Sequence, residues 1–164
     1  MRDGPSFLSI LTGSFASPAR ENPTVAMIEA AYRHAGLDAR YINCDVPPEA
    51  LGDAVRGAQA MGWVGFNCSI PHKVAMAELV NAPAPSAEII GAVNCVVDRE
   101  GGWVGENTDG QGFRASLRTV TDPAGKHVVV FGAAARRADI VVNATPIGLY
   151  LGIRHWTGVD ADEP

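Results

Sequence analysis

The chain has 164 residues, of which 47% are hydrophobic and 19% are charged, and its net charge is −5. This length suits one ordinary domain or two small ones, and the composition is typical of a soluble globular protein. The mildly acidic balance argues against nucleic acid and against an anionic membrane surface as partners, and no apolar run is long enough to span a membrane.

The first half of the chain alternates between strand and helix patterns. Residues 6–12 predict a short buried strand that ends at Gly13. Residues 22–24, Asn-Pro-Thr, predict the start of a helix, because Asn caps a helix well and Pro is preorganised for the first turn. Gly36 predicts the end of this helix, since glycine readily adopts the left-handed conformation found there.

Two further strand and helix pairs follow. Strands are predicted at 40–44 and 63–68, and helices begin at the Pro-Pro-Glu sequence of 47–49 and near His72. The first of these helices has three apolar residues at helical spacing, Leu51, Val55 and Ala58. An alternating order of strands and helices is typical of a parallel sheet covered by helices.

The second half predicts the beginning of another α/β unit. Residues 91–97 and 103–105 indicate two strands joined by a turn, and a helix follows residues 105–110. An all-apolar strand at 126–131 is then followed by Gly132. A strand followed by glycine is how a dinucleotide-binding half begins, so we expect such a domain to start here.

The link from this strand to the next strand pattern, at 138–143, is unusually short. Six residues, 133–138, separate Gly132 from Asp139, whereas a crossover between parallel neighbours needs roughly 10–12 residues. We therefore expect segments to be missing near residues 133–137 and near residues 150–151. The missing segments would either have been left out of the given sequence or have been deleted from the protein, naturally or by engineering.

Cysteine and histidine usage predicts neither disulfides nor a metal site. Cys44, Cys68 and Cys95 lie far apart in apolar, strand-like runs, which fits a reducing cytoplasm. The four histidines lack metal-ligand spacing. Since the N-terminus also lacks the apolar region of a signal peptide, we expect a cytoplasmic protein.

Residues 65–73, Gly-Phe-Asn-Cys-Ser-Ile-Pro-His-Lys, place a lysine in the first turn of a predicted helix. The free N–H groups at a helix N-terminus bear a partial positive charge, so a cation is unfavourable there. Lys73 is therefore either a solvated surface residue or a residue used for acid–base chemistry.

Several sequence blocks, taken together, resemble the shikimate dehydrogenase family, whose members reduce 3-dehydroshikimate to shikimate with NADPH. The blocks are 65–73, 91–95, 106–113 and 143–148, and residues 156–158 are similar to the C-terminal helix signature of the family. The resemblance implies an oxidoreductase of aromatic amino acid biosynthesis that transfers hydride reversibly between NADP(H), with NAD left open, and a ring hydroxyl or ketone.

The resemblance also implies a two-domain α/β fold. An N-terminal substrate-binding domain with a mainly parallel sheet would comprise residues 1–104 together with 151–164, whose helix packs back onto it. Residues 105–150 would be the remnant of a Rossmann-like NADP-binding domain that is incomplete in this chain. The implied partner is a small-molecule substrate, and the protein would be a monomer or a homodimer.

By the same resemblance, Lys73 and Asp109 look like the catalytic pair, and Ser69, Asn94 and Asn67 look like ligands for substrate hydroxyls. Hydride addition to a ketone leaves negative charge on oxygen, and a lysine beside a carboxylate can supply the proton and stabilise that charge. The competing interpretation of the pair is a surface salt bridge, which contributes little to the stability of the fold.

Five residues are implied as cofactor contacts: Gly132, Ala133, Asn143, Thr145 and Pro146. One glycine stands where a dinucleotide fold has G-x-G-x-x-G, so the glycine-rich turn is not complete. NADP follows from the resemblance alone.

The chain departs from the family where a Ser-x-Ser pair holds the substrate carboxylate. Asn22 and Thr24 occupy these positions, and they could bind a substrate anion, cap the helix, or do both. Shikimate, quinate, an amino-shikimate or another hydroxylated ring carboxylate therefore stay open as substrates. A ligand-sensing domain that has lost catalysis is the alternative function.

Overall fold

The computed structural model describes residues 8–131 and 140–143, with side chains described up to residue 127. In chain order the strands are β1 (Ile10–Ala16), β2 (Ala39–Asp45), β3 (Gly65–Cys68), β4 (Ala82–Pro83), β5 (Cys95–Arg99), β6 (Gly102–Glu106), β7 (Val128–Phe131) and β8 (Ile140–Asn143). The helices are α1 (Thr24–Ala35), α2 (Leu51–Ala60), α3 (Lys73–Leu79), α4 (Pro85–Ile90) and α5 (Asp109–Arg118). No described helix has the length and apolar character that crossing a membrane requires.

The chain divides into two compact units, residues 1–113 and 114–164. The described part of the first unit contains a six-stranded sheet in the order β2-β1-β3-β5-β6-β4. Strands β2, β1 and β3 are parallel, β5 runs antiparallel to both β3 and β6, and β4 is parallel to β6. This mainly parallel α/β architecture confirms the predicted fold of the first domain.

The register of the sheet places polar residues in one row. Ser14 lies opposite Asn43 on β2 and opposite Asn67 on β3. Asn67 in turn lies opposite Cys95, which lies opposite Glu106 on β6. Neighbouring strands are about 4.8 Å apart, so the side chains of this row, from five strands, lie side by side at the same level of the sheet.

The core of the first unit contains a group of aromatic rings. The ring centroids of Phe15 and Phe66 are 4.6 Å apart, and Phe66 packs edge-on against Trp103 at 5.1 Å. Helix α2 covers this core with the three residues that its spacing predicted, all of them buried: Leu51, Val55 and Ala58.

Helix α1 also agrees with its prediction. It begins one residue after Pro23, and the side-chain oxygen of Asn22 accepts the N–H of Thr24 at 3.0 Å. Gly36 ends the helix with a φ of 67°, a conformation that costs glycine little. The predicted stop is thus confirmed, whereas the helix begins one residue later than predicted, with Pro23 rather than Asn22 in the cap position.

The predicted end of the first strand was wrong. β1 continues through Gly13 to Ala16, so this glycine lies inside the strand rather than after it. A Cβ at Gly13 would lie 2.7 Å from the Trp63 ring and would overlap the carbonyl oxygen of Ile42. The glycine is therefore present because of close packing, which a turn signal in the sequence does not distinguish.

We expect Gly13→Ala to destabilise the protein by about 3 kcal/mol, because the added methyl group meets the backbone of β2 and has no room to move. Gly57→Ala on α2 is the matched control, since a Cβ added at Gly57 would meet no atom within 4 Å. That control should instead gain about 0.5–1 kcal/mol. Urea denaturation of both variants measures the two changes, and equal stabilities would contradict this packing role.

In the second unit, β7 and β8 pair in parallel, with Val128 opposite Ile140. A parallel pair is what the predicted start of a dinucleotide-binding domain requires. The segments expected to be missing near 133–137 and 150–151, and the C-terminal helix within 151–164, lie outside the described residues.

Candidate active site

Lys73 is the first residue of α3, as its position after the Pro-His pair predicted. No acidic side chain of the first turn of α3 offsets its charge. Instead, Lys73 Nζ donates to Asp109 Oδ2 at 2.6 Å, and both side chains are partly exposed, at 33% and 52%. The carboxylate therefore comes from another element, and the pair faces solvent on one side.

Asp109 is the first residue of α5, where a negative charge interacts favourably with the helix N-terminus. Its backbone N–H donates to Asn107 Oδ1 at 3.1 Å. The oxygen that does not bind Lys73 accepts a hydrogen bond from Asn94 Nδ2 at 2.7 Å. Both carboxylate oxygens thus have partners, which fixes the orientation of the group.

Asn94 lies between β3 and β6 and is held by main chain on both sides. Its N–H donates to the carbonyl of Glu106, and its carbonyl accepts from the N–H of Cys68. Its side-chain oxygen accepts the N–H of Thr108 at 3.0 Å. In this geometry the Asn94 amide orients Asp109.

A second polar cluster surrounds the beginning of α1. Asn22 Nδ2 donates to Ser14 Oγ at 3.2 Å, and Ser14 Oγ donates to Asn43 Oδ1 at 2.8 Å. Asn43 Nδ2 donates back to the carbonyl of Asn22 at 2.8 Å, which closes a ring of three hydrogen bonds. Because Asn22 Oδ1 also accepts the N–H of Thr24, this amide is used to cap the helix.

Two residues connect the clusters across the sheet. Tyr41 OH donates to Asn67 Oδ1 at 3.0 Å, and Asn67 Nδ2 lies 3.4 Å from the carbonyl oxygen of Asn94. These contacts extend from β2 across β3 to Asn94, the residue that holds Asp109.

Ser69 precedes the turn that leads into α3. Its N–H donates to the carbonyl of Phe15, and its carbonyl accepts from His72. The Ser69 hydroxyl forms no hydrogen bond within the described part of the chain, so it can form one with a substrate hydroxyl.

His72 is buried, and its Nε2 is 2.8 Å from the carbonyl oxygen of Val46. This contact connects the start of α3 to the residue that follows β2.

The cysteines lack the features of catalytic thiols. Burial raises the pKa of Cys68 to about 12, and it also raises the pKa values of Cys44 and Cys95. A thiol with a raised pKa is a poor nucleophile at neutral pH.

Among the residues that the structure describes, no cluster of three or more His, Cys, Asp or Glu side chains could hold a metal ion.

The predicted cofactor contacts are largely outside the described residues. Gly132, Ala133, Thr145 and Pro146 are not described, and Asn143 is described only as the last residue of β8.

Sequence reasoning missed part of the polar network: Ser14, Tyr41 and Asn43. Ser14 and Asn43 are polar residues inside strands that otherwise contribute to the core, and a polar residue near the carboxyl end of a parallel strand is a signal for a site. The register that brings them together could not be inferred from the chain alone.

Comparisons with known proteins show what the chain is similar to. Residues 15–96 match the family model described as the shikimate dehydrogenase substrate binding domain. The chain is 40% identical over 132 residues to a shikimate dehydrogenase (NADP(+)) of Shouchella clausii, with 79% of this chain and 48% of that protein covered.

Solved structures give the same similarity. The ligand-free 5-ketofructose reductase of Gluconobacter sp. strain CHM43 is 65% identical with a TM-score of 0.73, covering 79% of this chain and 47% of that one. Shikimate 5-dehydrogenase of Listeria monocytogenes, solved with shikimate and NAD, is 34% identical with a TM-score of 0.72, covering 77% and 44%. The chain spans about half the length of the relatives it matches.

Proposed function

Since the chain belongs to the shikimate dehydrogenase family, we propose that the protein is an oxidoreductase that transfers hydride reversibly between NADP(H) and a carbonyl or hydroxyl group of a small polyhydroxylated substrate. The observation that supports this best is the 2.6 Å contact of Lys73 with Asp109, whose other oxygen is held by Asn94. A pure binding domain has no need of such an oriented proton-transfer pair.

In the direction of reduction, the Lys73 ammonium would donate a proton to the substrate oxygen and stabilise the charge that develops on it. Asp109 would hold the ammonium in place and share the proton, so the two groups would act as one unit. Ser69 and Asn67 would bind neighbouring hydroxyls and fix the distance between the reacting carbon and the hydride donor. Asn94, the third predicted ligand, would approach the substrate through the amide that also contacts Thr108 and Asp109.

NADP(H) supplies the hydride when it is bound. The parallel pair β7 and β8 fits the start of a dinucleotide-binding sheet, and the residues after β7 are at the carboxyl end of a strand, where such folds bind the pyrophosphate. We propose that five residues contact the cofactor: Gly132, Ala133, Asn143, Thr145 and Pro146. The name of the Shouchella relative favours NADP, and the Listeria structure contains NAD.

Two substrate classes fit this site. A shikimate-like ring carboxylate follows from the names of most relatives, and it would place the protein in aromatic amino acid biosynthesis. An uncharged polyhydroxy ketone is favoured by the 65% identity to 5-ketofructose reductase and by the start of α1. There, Asn22 Oδ1 already accepts the N–H of Thr24, and Pro23 has no N–H, so a carboxylate would find few free donors.

The test is an assay of NADPH and NADH oxidation with 5-ketofructose and 3-dehydroshikimate, and of the reverse reaction with shikimate and quinate. Turnover of 5-ketofructose alone would support the uncharged substrate, and turnover of the ring carboxylates alone would support the other class. Binding without any turnover would favour the ligand-sensing alternative and contradict the oxidoreductase. We further propose a cytoplasmic location. We also propose a monomeric or homodimeric state, and sedimentation velocity tests this oligomeric state.

Asn22→Asp separates helix capping from substrate binding at the beginning of α1. The new carboxylate can still accept the N–H of Thr24 and suits a helix N-terminus, so we expect no loss of thermal stability. The donor to Ser14 is lost, and we expect KM to rise about tenfold for an uncharged ketone and further for a ring carboxylate, which the new charge repels.

The matched control for this prediction is Asn81→Asp. Asn81 Oδ1 likewise accepts a backbone N–H, that of Trp103, but it lies outside the polar clusters described above. Its KM should equal that of the wild type. An unchanged KM for Asn22→Asp would show that Asn22 only caps the helix.

A further inference from the structure

Tyr41 is buried on the edge strand β2, with 5% of its surface exposed, and it is held at both ends. Its backbone N–H donates to Glu29 Oε1 of α1 at 2.7 Å, although an edge strand normally leaves this side of its backbone to solvent. Its hydroxyl donates to Asn67 Oδ1 at 3.0 Å. The hydroxyl is therefore a rigidly placed donor beside the candidate substrate-binding residues.

Two contacts together give the Asn67 amide one orientation, and the Tyr41 hydroxyl is the shorter of them. An asparagine side chain has an acceptor and a donor end that are similar in shape, and its hydrogen-bond partners decide which end points where. The contact of Asn67 Nδ2 with the carbonyl oxygen of Asn94 is long, at 3.4 Å, and holds the amide weakly. Because the carbonyl of Asn94 can only accept, it decides which end of the amide is Nδ2, and the shorter Tyr41 contact then holds Oδ1 in place on the side facing β2.

This orientation leaves one Asn67 N–H without a partner among the described residues, since Nδ2 has two hydrogens and the carbonyl of Asn94 accepts one. The free N–H is available to an oxygen of a ligand. Burial raises the pKa of Tyr41, mainly through desolvation, so the hydroxyl keeps its proton and stays a donor.

We propose that Tyr41 is a positioning residue that orients the Asn67 amide, so that its free N–H donates to a hydroxyl or carbonyl oxygen of the substrate. The inference rests on the proposed function, because it takes Asn67 as a substrate ligand. It adds Tyr41, on β2, as a residue that holds this amide in place and so affects substrate binding without contacting Lys73 in the structure.

Tyr41→Phe removes one oxygen and keeps the buried ring, so the variant should fold. We expect KM for the substrate that the wild type reduces to rise about fivefold, the usual worth of one hydrogen bond, with kcat changed by less than about twofold. The matched control is Tyr32→Phe, which also removes a hydroxyl, one whose hydrogen-bond partner is Thr12 Oγ1 at 2.8 Å rather than Asn67. Its KM should equal the wild-type value.

A second measurement does not depend on activity. The ¹⁵N side-chain amide signal of Asn67, assigned with Asn67→Asp, should shift in Tyr41→Phe and stay unchanged in Tyr32→Phe. An unshifted signal would overturn the positioning role, and so would a shifted signal with an unchanged KM.

If the wild type reduces no substrate, the proposed function is wrong, and the same amide signal then measures the binding of 5-ketofructose and shikimate. A weaker affinity in Tyr41→Phe than in Tyr32→Phe would still support the role of Tyr41. Equal affinities of the two variants, or no binding by the wild type, would overturn it.

Discussion

Replacing Lys73 with methionine is expected to lower kcat by about 10²–10⁴-fold, because this range is typical of a positioned general acid. Methionine preserves the length of the apolar stem and removes only the ammonium group. The ion pair with Asp109 is partly exposed, so its loss should cost no more than about 1 kcal/mol of stability. A large fall in kcat with a nearly unchanged melting temperature would therefore identify chemistry rather than folding.

The chain offers a matched control for this variant in its other lysine, Lys126, which is exposed in the second unit. Lys126→Met removes the same charge from the protein and should leave kcat at the wild-type value. Stopped-flow measurement of a single turnover separates the chemical step from cofactor release. If Lys73→Met retained a wild-type single-turnover rate, Lys73 would not be the proton donor.

The first domain could be predicted well from local signals. Helix α1 has a capping asparagine and a C-terminal glycine, and α2 has three buried residues at helical spacing, so both helices follow from patterns within a few residues. The strand pattern of β3 is likewise readable, because three of its four residues are buried and not charged or amide-bearing, as is typical of a central strand. The position of Lys73 in the first turn of α3 followed from the same local reasoning.

What failed depended on tertiary contacts. The sequence predicts a strand end at Gly13, whereas this residue is a point of close contact with Trp63 and β2. Strand β4 has two residues, one of them a proline, and no local pattern predicts such a strand. It exists because β6 lies beside it and supplies the hydrogen bonds.

The candidate site shows the same division between local and tertiary information. Lys73 and Asp109 could be named from the blocks in which they occur, yet their 2.6 Å contact depends on the start of α5 lying beside the start of α3. The ring formed by Ser14, Asn22 and Asn43 depends on the register of β1 and β2, which no single segment determines.

The described polar clusters lie entirely within residues 8–113, so one compact unit contains both Lys73 and its carboxylate partner. The proposed proton-transfer pair is thus formed within the first unit, from which its described side-chain contacts all come.

Asp109→Asn is expected to lower kcat by about 10²–10³-fold, close to the effect of losing Lys73. Asp109 accepts a hydrogen bond at each oxygen, from Lys73 on one side and from Asn94 on the other. An asparagine has one oxygen, so its amide group must face either the ammonium or the NH₂ group of Asn94. Either orientation places two donors against each other, so the amide cannot hold Lys73 and Asn94 at once, and in both cases the ammonium loses the negative charge beside it.

The matched control is Asp122→Asn, since Asp122 is likewise a hydrogen-bonded carboxylate, accepting the backbone N–H of Ala124, but belongs to an exposed turn in the second unit. Its kcat should be that of the wild type. Because Lys73 and Asp109 would act as one unit, the double variant Lys73→Met/Asp109→Asn should be no slower than the slower single variant. A double variant whose loss equals the product of the two single losses would mean that the residues act independently, and the paired proton transfer would then be wrong.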